Sequence, residues 1–254
     1  MHILLTNDDG IFAPGLAALY KRLTRLGKIT VAAPSDVQSG AGHAISLTEI
    51  RCELVNADGL FDGYSIEGSP ADCVKLAVNE LIDPKDKIDL VVSGMNYGAN
   101  VGINVFYSGT VAGAIEAAFY NLPAIAVSAA FEEPMDFEAA ADYAFSVIRQ
   151  LTDLPSGHVA NLNIPQLSKG TPKGIRVVPQ SIHGFDEQYR IRTDETGRKI
   201  YQLTGGNHRD PHGSGWADTT ALSADYITLT CLRQELTDRE GNHLMSQKQF
   251  QLKS

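Results

Sequence analysis

Short apolar runs open the chain and recur at Ile3–Thr6, Ile29–Ala33, Ile88–Val92 and Ala124–Val127. Runs of this kind, apolar on both faces, suit strands buried in a parallel sheet. Helical patterns fall between them, at Ala13–Leu26 (ending at Gly27), Ser69–Leu81, Gly109–Phe119 and Phe137–Leu151. Ser69-Pro70-Ala71-Asp72 carries start signals: a capping serine, proline at the first helical position and an acid in the first turn. Alternating strand and helix predicts the α/β class, a mostly parallel sheet with helices on both faces. Residues 45–66 read as extended segments around a turn near Asn56–Gly59, and Val159–Ile164 as another strand. The alternation weakens beyond Pro165. There the pattern predicts a hairpin over residues 186–204, a strand at Tyr226–Leu229 and a polar extension over residues 233–254. One α/β domain over residues 1–254 accommodates all of this.

At 254 residues and 43% hydrophobic, the chain can build a core without disulfide staples. Cys52, Cys73 and Cys231 are an odd set without CxxC spacing, which argues against a zinc site or disulfide framework and for a reducing, cytoplasmic location. The N-terminus enters a strand at once and meets acids by position 8, so no signal peptide is expected. No stretch approaches ~18 uninterrupted apolar residues, so no membrane span is expected. A formal net charge of -9 argues against duplex nucleic acid as a partner. It leaves room for a mononucleotide.

Ligands of open α/β sheets bind outside the carboxyl ends of the strands. Asp8 and Asp9 follow the first strand, and adjacent carboxylates repel. A hard divalent cation, magnesium or manganese, would relieve them; an ordinary strand-end turn is the alternative. The second loop, Gln38–Gly42, holds Ser39, which could equally cap a turn. The loop after Ile88–Val92 holds Asn96 and Asn100, oxygen ligands or plain turn residues. Ser108-Gly109-Thr110 at a helix start offers free N–H groups and a hydroxyl to a phosphate, or forms a simple N-cap. His43 lies in the second loop and could reach a substrate, or be a plain surface residue. His208 and His212 have the four-residue spacing of a helical zinc pair, but the intervening Arg209-Asp210-Pro211 defeats a helix. No GxSxG elbow, Walker loop or GxGxxG fingerprint is present.

Taken together, Ile3–Gly10, Ala33–Gly40, Gly68–Lys75, Ser93–Asn100, Tyr107–Val111 and Asn161–Pro165 resemble the motifs of the SurE (survival protein E) family, metal-dependent 5'-nucleotidases. The resemblance spans roughly residues 1–232. It implies a Rossmann-like sheet with a smaller C-terminal hairpin and helix extension. It implies one Mg2+ or Mn2+ per subunit on Asp8, Asp9, Ser39 and Asn96, with Asp8, Asp9 and Asn96 catalytic. Asn100, Ser108, Gly109 and Thr110 would hold the phosphate. The implied substrates are nucleoside 5'-monophosphates, with 3'-nucleotides and polyphosphate in some members. The implied assembly is a homodimer or homotetramer that uses residues 186–204 and 233–254 in its contacts. Departures from the family pattern fall near the end: Ala217-Asp218 for Thr-Asp, Asp225 for a glycine before an aromatic, and Thr230-Cys231-Leu232 for Thr-Pro-Leu. Two rival readings are a phosphotransferase that forms an aspartyl-phosphate and a nucleotide-binding module without catalysis.

Overall fold

The computed structural model describes residues 1–183, 188–204 and 215–250. Its centre is β1 (His2–Thr6), wholly buried and parallel to β2 (Lys28–Pro34) on one side and β5 (Leu90–Tyr97) on the other. Beyond β2 lie β4 (Phe61–Ile66), parallel, and β3 (Cys52–Ala57), antiparallel. Beyond β5 lie β6 (Ala124–Ala129) and β7 (Val159–Ile164), both parallel. Next comes β11 (Ile227–Leu232), antiparallel to β7, and then β8 (Ile175–Val177), parallel to β11. The order of this nine-stranded sheet is β3-β4-β2-β1-β5-β6-β7-β11-β8. The chain leaves β1 toward β2 and later crosses back to β5. Their carboxyl ends therefore diverge at a topological switch point, where a crevice opens.

The pleat explains the helix positions. Ile3 and Leu5 pack into a core shared with α1 (Pro14–Leu23) and α4 (Phe137–Ile148). Leu4 faces the other way, into a core shared with α2 (Pro70–Leu76) and α3 (Gly109–Phe119). Two apolar faces on one strand need two helical layers, which is why the run at the N-terminus predicts this architecture. Most of the buried residues of α3 are glycine or alanine, so the helix lies close to the sheet. A methyl group at Gly113 would come within 3.0 Å of Ser93 Oγ and 3.3 Å of Thr6 Cγ2.

The structure departs from the sequence pattern in several places. β5 continues through Tyr97 because Asn96 and Tyr97 pair with Ser128 and Ala129 of β6 across a bulge, so Asn96 sits on a strand end and not in a free loop. The helix from Ser69 is capped as expected, with reciprocal Ser69–Asp72 hydrogen bonds. It widens over Ala77–Leu81, where the Asn79 side chain donates to Lys75 O (2.7 Å), the acceptor an α-helix would give to the Asn79 N–H. The hairpin forms as a separate sheet, β9 (Gln188–Thr193) with β10 (Lys199–Thr204). β8, α5 (Asp218–Ser223) and α6 (Arg239–Ser246) lie in the stretch where periodicity fails. Asp225, at the position where the resemblance carries glycine, has φ 65, a conformation glycine adopts without strain. Among the described residues no helix is long and apolar enough to cross a membrane.

Two substitutions test this packing. Gly15 sits in the first turn of α1, where an added methyl would come 2.3 Å from Met95 O. Helix propensity alone favours alanine by about 1 kcal/mol. Overpacking wins here, so Gly15→Ala is expected to lower stability in urea unfolding by roughly 1–2 kcal/mol. Ala217 precedes α5 and has no side-chain oxygen to cap it. Ala217→Thr is expected to raise stability by about 0.5–2 kcal/mol in the same assay.

Candidate active site

The carboxyl end of β1 runs directly into Asp8 and Asp9. Asp8 is 3% exposed. Its Oδ1 accepts a short hydrogen bond from the Thr110 hydroxyl, in the first turn of α3. A methyl group at Gly109 would come within 2.9 Å of Asp8 Cβ, so only glycine lets the helix start this close to the acid. Burial pushes the Asp8 carboxyl up to about 6, the Thr110 hydrogen bond opposes that, and the charge of Asp9 adds to it. Burial also raises Asp9, opposed by the Tyr97 N–H that donates to its Oδ2 (3.1 Å). Among the described residues no lysine or arginine pairs with either acid. Two crowded, part-buried carboxylates with no protein counter-charge fit a hard cation.

The other loops are stitched to this pair. Gln38 N donates to Asp8 O (2.7 Å), which brings its neighbour Ser39 to the same rim. Gly42 N donates to Tyr107 O (3.0 Å) and ties the second loop to the approach to α3. Asn96 directly precedes Tyr97. Its Nδ2 is spent on Gly98 O (2.6 Å), and among the described residues its Oδ1 accepts no hydrogen bond. Among the described residues no cluster of three or more His, Cys, Asp or Glu side chains forms a metal site. A cation here would therefore have two charged ligands at most, completed by neutral oxygens, a set suited to magnesium or manganese and not to zinc.

At the start of α3, Ser108 Oγ accepts from Val111 N (3.1 Å) as an N-cap, and its own proton remains free to donate. The cap and the anion-site readings of Ser108 are thus compatible. Asn100 is placed differently. Its Nδ2 donates to Ser128 Oγ (2.8 Å), its N–H donates to Asn163 Oδ1 (2.8 Å), and its carbonyl accepts from Asn161 (2.8 Å) and Asn163 (3.2 Å). The side-chain donor of Asn100 therefore points into a buried network, and a role toward phosphate needs it to exchange Ser128 for the ligand. Asn161, Asn163 and Ser128 belong to this support. The sequence signal was two asparagines at alternate positions of a wholly buried strand. Asp218 is a second support: fully buried, it accepts from Gly102 N (2.9 Å) and Ser181 N (2.8 Å) and holds the loop beyond Asn100. His43 reaches Glu116 instead of the carboxylate pair. His208 and His212 lie outside the described residues.

The family model "Survival protein SurE" matches residues 3–187. The chain belongs to the SurE family. A 5'-nucleotidase SurE of Rhodopirellula baltica is 43% identical over 240 residues, 93% of this chain and 94% of that one. One of Syntrophobacter fumaroxidans is 42% identical over 246 residues, 94% and 96% of the two chains. The crystal structure of the SurE protein from Aquifex aeolicus superposes with a TM-score of 0.83 at 32% identity, covering 97% of this chain and 99% of that one. The mostly parallel sheet is therefore the SurE fold.

The raised Asp8 pKa has a sign that can be measured. An unfolded chain ionises Asp8 near 3.8 and the folded one near 6. The folded state is thus penalised as pH rises from about 4 to about 6, and the penalty is complete above that range. Without metal, Asp8→Asn is expected to match the wild type near pH 4 and to exceed it by about 1–3 kcal/mol at pH 7.5. Thermal unfolding of both proteins across this range, in chelator, checks it.

Proposed function

We propose that the chain is a 5'-nucleotidase, a phosphoric monoester hydrolase that releases phosphate from nucleoside 5'-monophosphates with the help of a divalent cation. The observation that carries the reading is the contact of Asp8 with Gly109 and Thr110. It sets an acidic pair, with no lysine or arginine partner among the described residues, against the N-terminus of a helix, whose positive end favours an anion. An acidic pair beside a helix N-terminus fits a cation, which would offset the two carboxylates and let a phosphate approach. The names of the relatives point the same way.

Asp8, Asp9, Ser39 and Asn96 would hold the cation, one Mg2+ or Mn2+ per subunit. Bound there, it would supply Lewis-acid stabilisation of the charge that develops on the phosphoryl oxygens. The residues of the chain do the rest. Ser108 would donate its hydroxyl to the phosphate and the Gly109 N–H would hold an equatorial oxygen, whereas the Thr110 N–H is turned to Asp8 and would have to leave it to reach the phosphate. Thr110 fixes the Asp8 carboxylate through its own hydroxyl. Asp9 keeps Oδ2 on the Tyr97 N–H, and among the described residues its Oδ1 has no protein partner. That oxygen orients the attacking water and takes its proton. Asn100 and its network keep the loop between β5 and α3 in shape. Hydrolysis of 3'-nucleotides and polyphosphate, cytoplasmic location and a homodimeric or homotetrameric assembly complete the proposal.

Phosphate release from a panel of nucleoside monophosphates, with Mg2+, with Mn2+ and with chelator, tests the reading. Metal-dependent release is expected, with kcat reduced at least 100-fold in Asp9→Asn. Turnover that persists in chelator, or in the variant, would overturn it. A phosphorylated enzyme trapped during turnover would favour the aspartyl-phosphate route over direct attack by water.

A further inference from the structure

Glu116 is the one charged residue of α3, and the proposed chemistry does not use it. It lies two turns beyond Gly109 and is 2% exposed. A carboxylate taken out of water needs partners, and this one draws them from two other elements. Lys75 Nζ, in the last turn of α2, lies 2.7 Å from its Oε1. His43 Nε2, in the loop between β2 and β3, lies 2.7 Å from its Oε2. Burial would raise the Glu116 carboxyl, but His43 and Lys75 outweigh it and hold it below the usual range. An ionised carboxylate only accepts, so Nε2 donates to it whether the ring is neutral or charged.

The same loop carries Ser39. Before Ser39 it is anchored by the Gln38 N–H on Asp8 O. After it, the Gly42 N–H is on Tyr107 O, and a methyl group at Gly42 would come within 3.1 Å of Phe106 O, so the loop lies directly on the approach to α3. His43 then grips Glu116. Ala44 O accepts from Ser69 Oγ (2.7 Å), and Ser46 donates to Asp72 through its N–H (3.0 Å) and its hydroxyl (2.8 Å). Ser39 itself is exposed, and among the described residues no hydrogen bond holds it. Its place is therefore set by the anchors on either side. Those at Gln38 and Gly42 are backbone bonds; His43 is the nearest anchor made by a side chain.

We propose that His43 is a positioning residue for the cation: gripped by Glu116, it fixes the loop between β2 and β3 so that Ser39 stands at the right distance from Asp8 and Asp9. This rests on the nucleotidase reading, in which Ser39 is a ligand, and adds a residue that touches neither cation nor substrate. The link is mechanical. α3 carries Gly109 and Thr110 against Asp8, so a loop gripped by the same helix keeps its register with the acid pair. Ligands that share one cation must hold their separation to within about 0.5 Å, and groups behind them supply that precision. A serine hydroxyl has no charge to draw it to the cation, so it depends on such support more than the two carboxylates do.

Mn2+ binding to the full chain without nucleotide, followed by the EPR signal of the free ion, tests it. His43→Ala is expected to raise the Kd for Mn2+ about tenfold. His43→Gln, whose Nε2 can donate to Glu116 from nearly the same place, is expected to bring it back to within about twofold of the wild type. In a Ser39→Ala background, His43→Ala is expected to cost less than about twofold more, because its effect passes through Ser39. Losses that multiply would overturn the proposal, as would a His43→Gln as weak as His43→Ala. So would a lowered unfolding midpoint with the Kd unmoved, since the contact would then merely brace the loop against α2 and α3. Mn2+ binding with this coupling, but no phosphate release from any nucleotide, would instead overturn the nucleotidase reading and leave the positioning role standing. No Mn2+ binding by the wild type would overturn both.

Discussion

Asp8 is held against the first turn of α3, and the rest of the rim is arranged around that contact. A carboxylate buried beside another carboxylate is costly, and burial raises its pKa. The hydroxyl of Thr110 and the positive end of the helix offset part of it. What remains is a local excess of negative charge at the mouth of a crevice, which is what a cation-dependent enzyme needs and what a merely structural site would avoid. The approach is possible because Gly109 and Gly113 have no side chain. The same small residues that make α3 dull as a helix let it dock on β1 and β5.

Around this contact lies a shell of buried polar groups that never reaches the rim. Asn161, Asn163 and Ser128 hold Asn100, Asp218 holds Gly102, and Glu132 accepts from the Leu167 and Ser168 amides on the far side of the crevice. Hydrogen bonds of this kind are modest in net energy but expensive to leave half-made. They restrict the loops to one arrangement. A site made of loops from three different strands needs such a shell, since nothing in the loops' own sequences dictates how they lie against one another.

The legible part of the chain was the part with local causes. An apolar run must be covered on both faces, so Ile3–Leu5 could be read as a central strand without any knowledge of its neighbours. Ser69 could be read as a helix cap from four adjacent residues, and the structure adds the reciprocal bond from Asp72 that makes it a capping box. Asp8, Asp9, Ser39, Asn96 and Ser108 could be nominated because each follows a strand or precedes a helix, and ends of elements are where ligands go. Past Pro165 the chain was only partly legible. The hairpin over residues 186–204 and the strand at Tyr226–Leu229 form, as β9–β10 and β11. β8 is only three residues long and α5 starts at an alanine, so neither has a periodic or capping signature strong enough to stand out.

Composition, spacing and the order of elements thus determined the fold class and put the acidic pair and the capped start of α3 at the ends of their elements, because these depend on neighbours along the chain. Only the tertiary structure decided that Asn96 sits on a strand end, that Asn100 spends its donor on Ser128, and that His43 turns to Glu116. Residues 43 and 116 are 73 positions apart. Their meeting depends on how the second loop folds over α3. That packing is the sum of many weak contacts at long sequence separation, and no local pattern carries it.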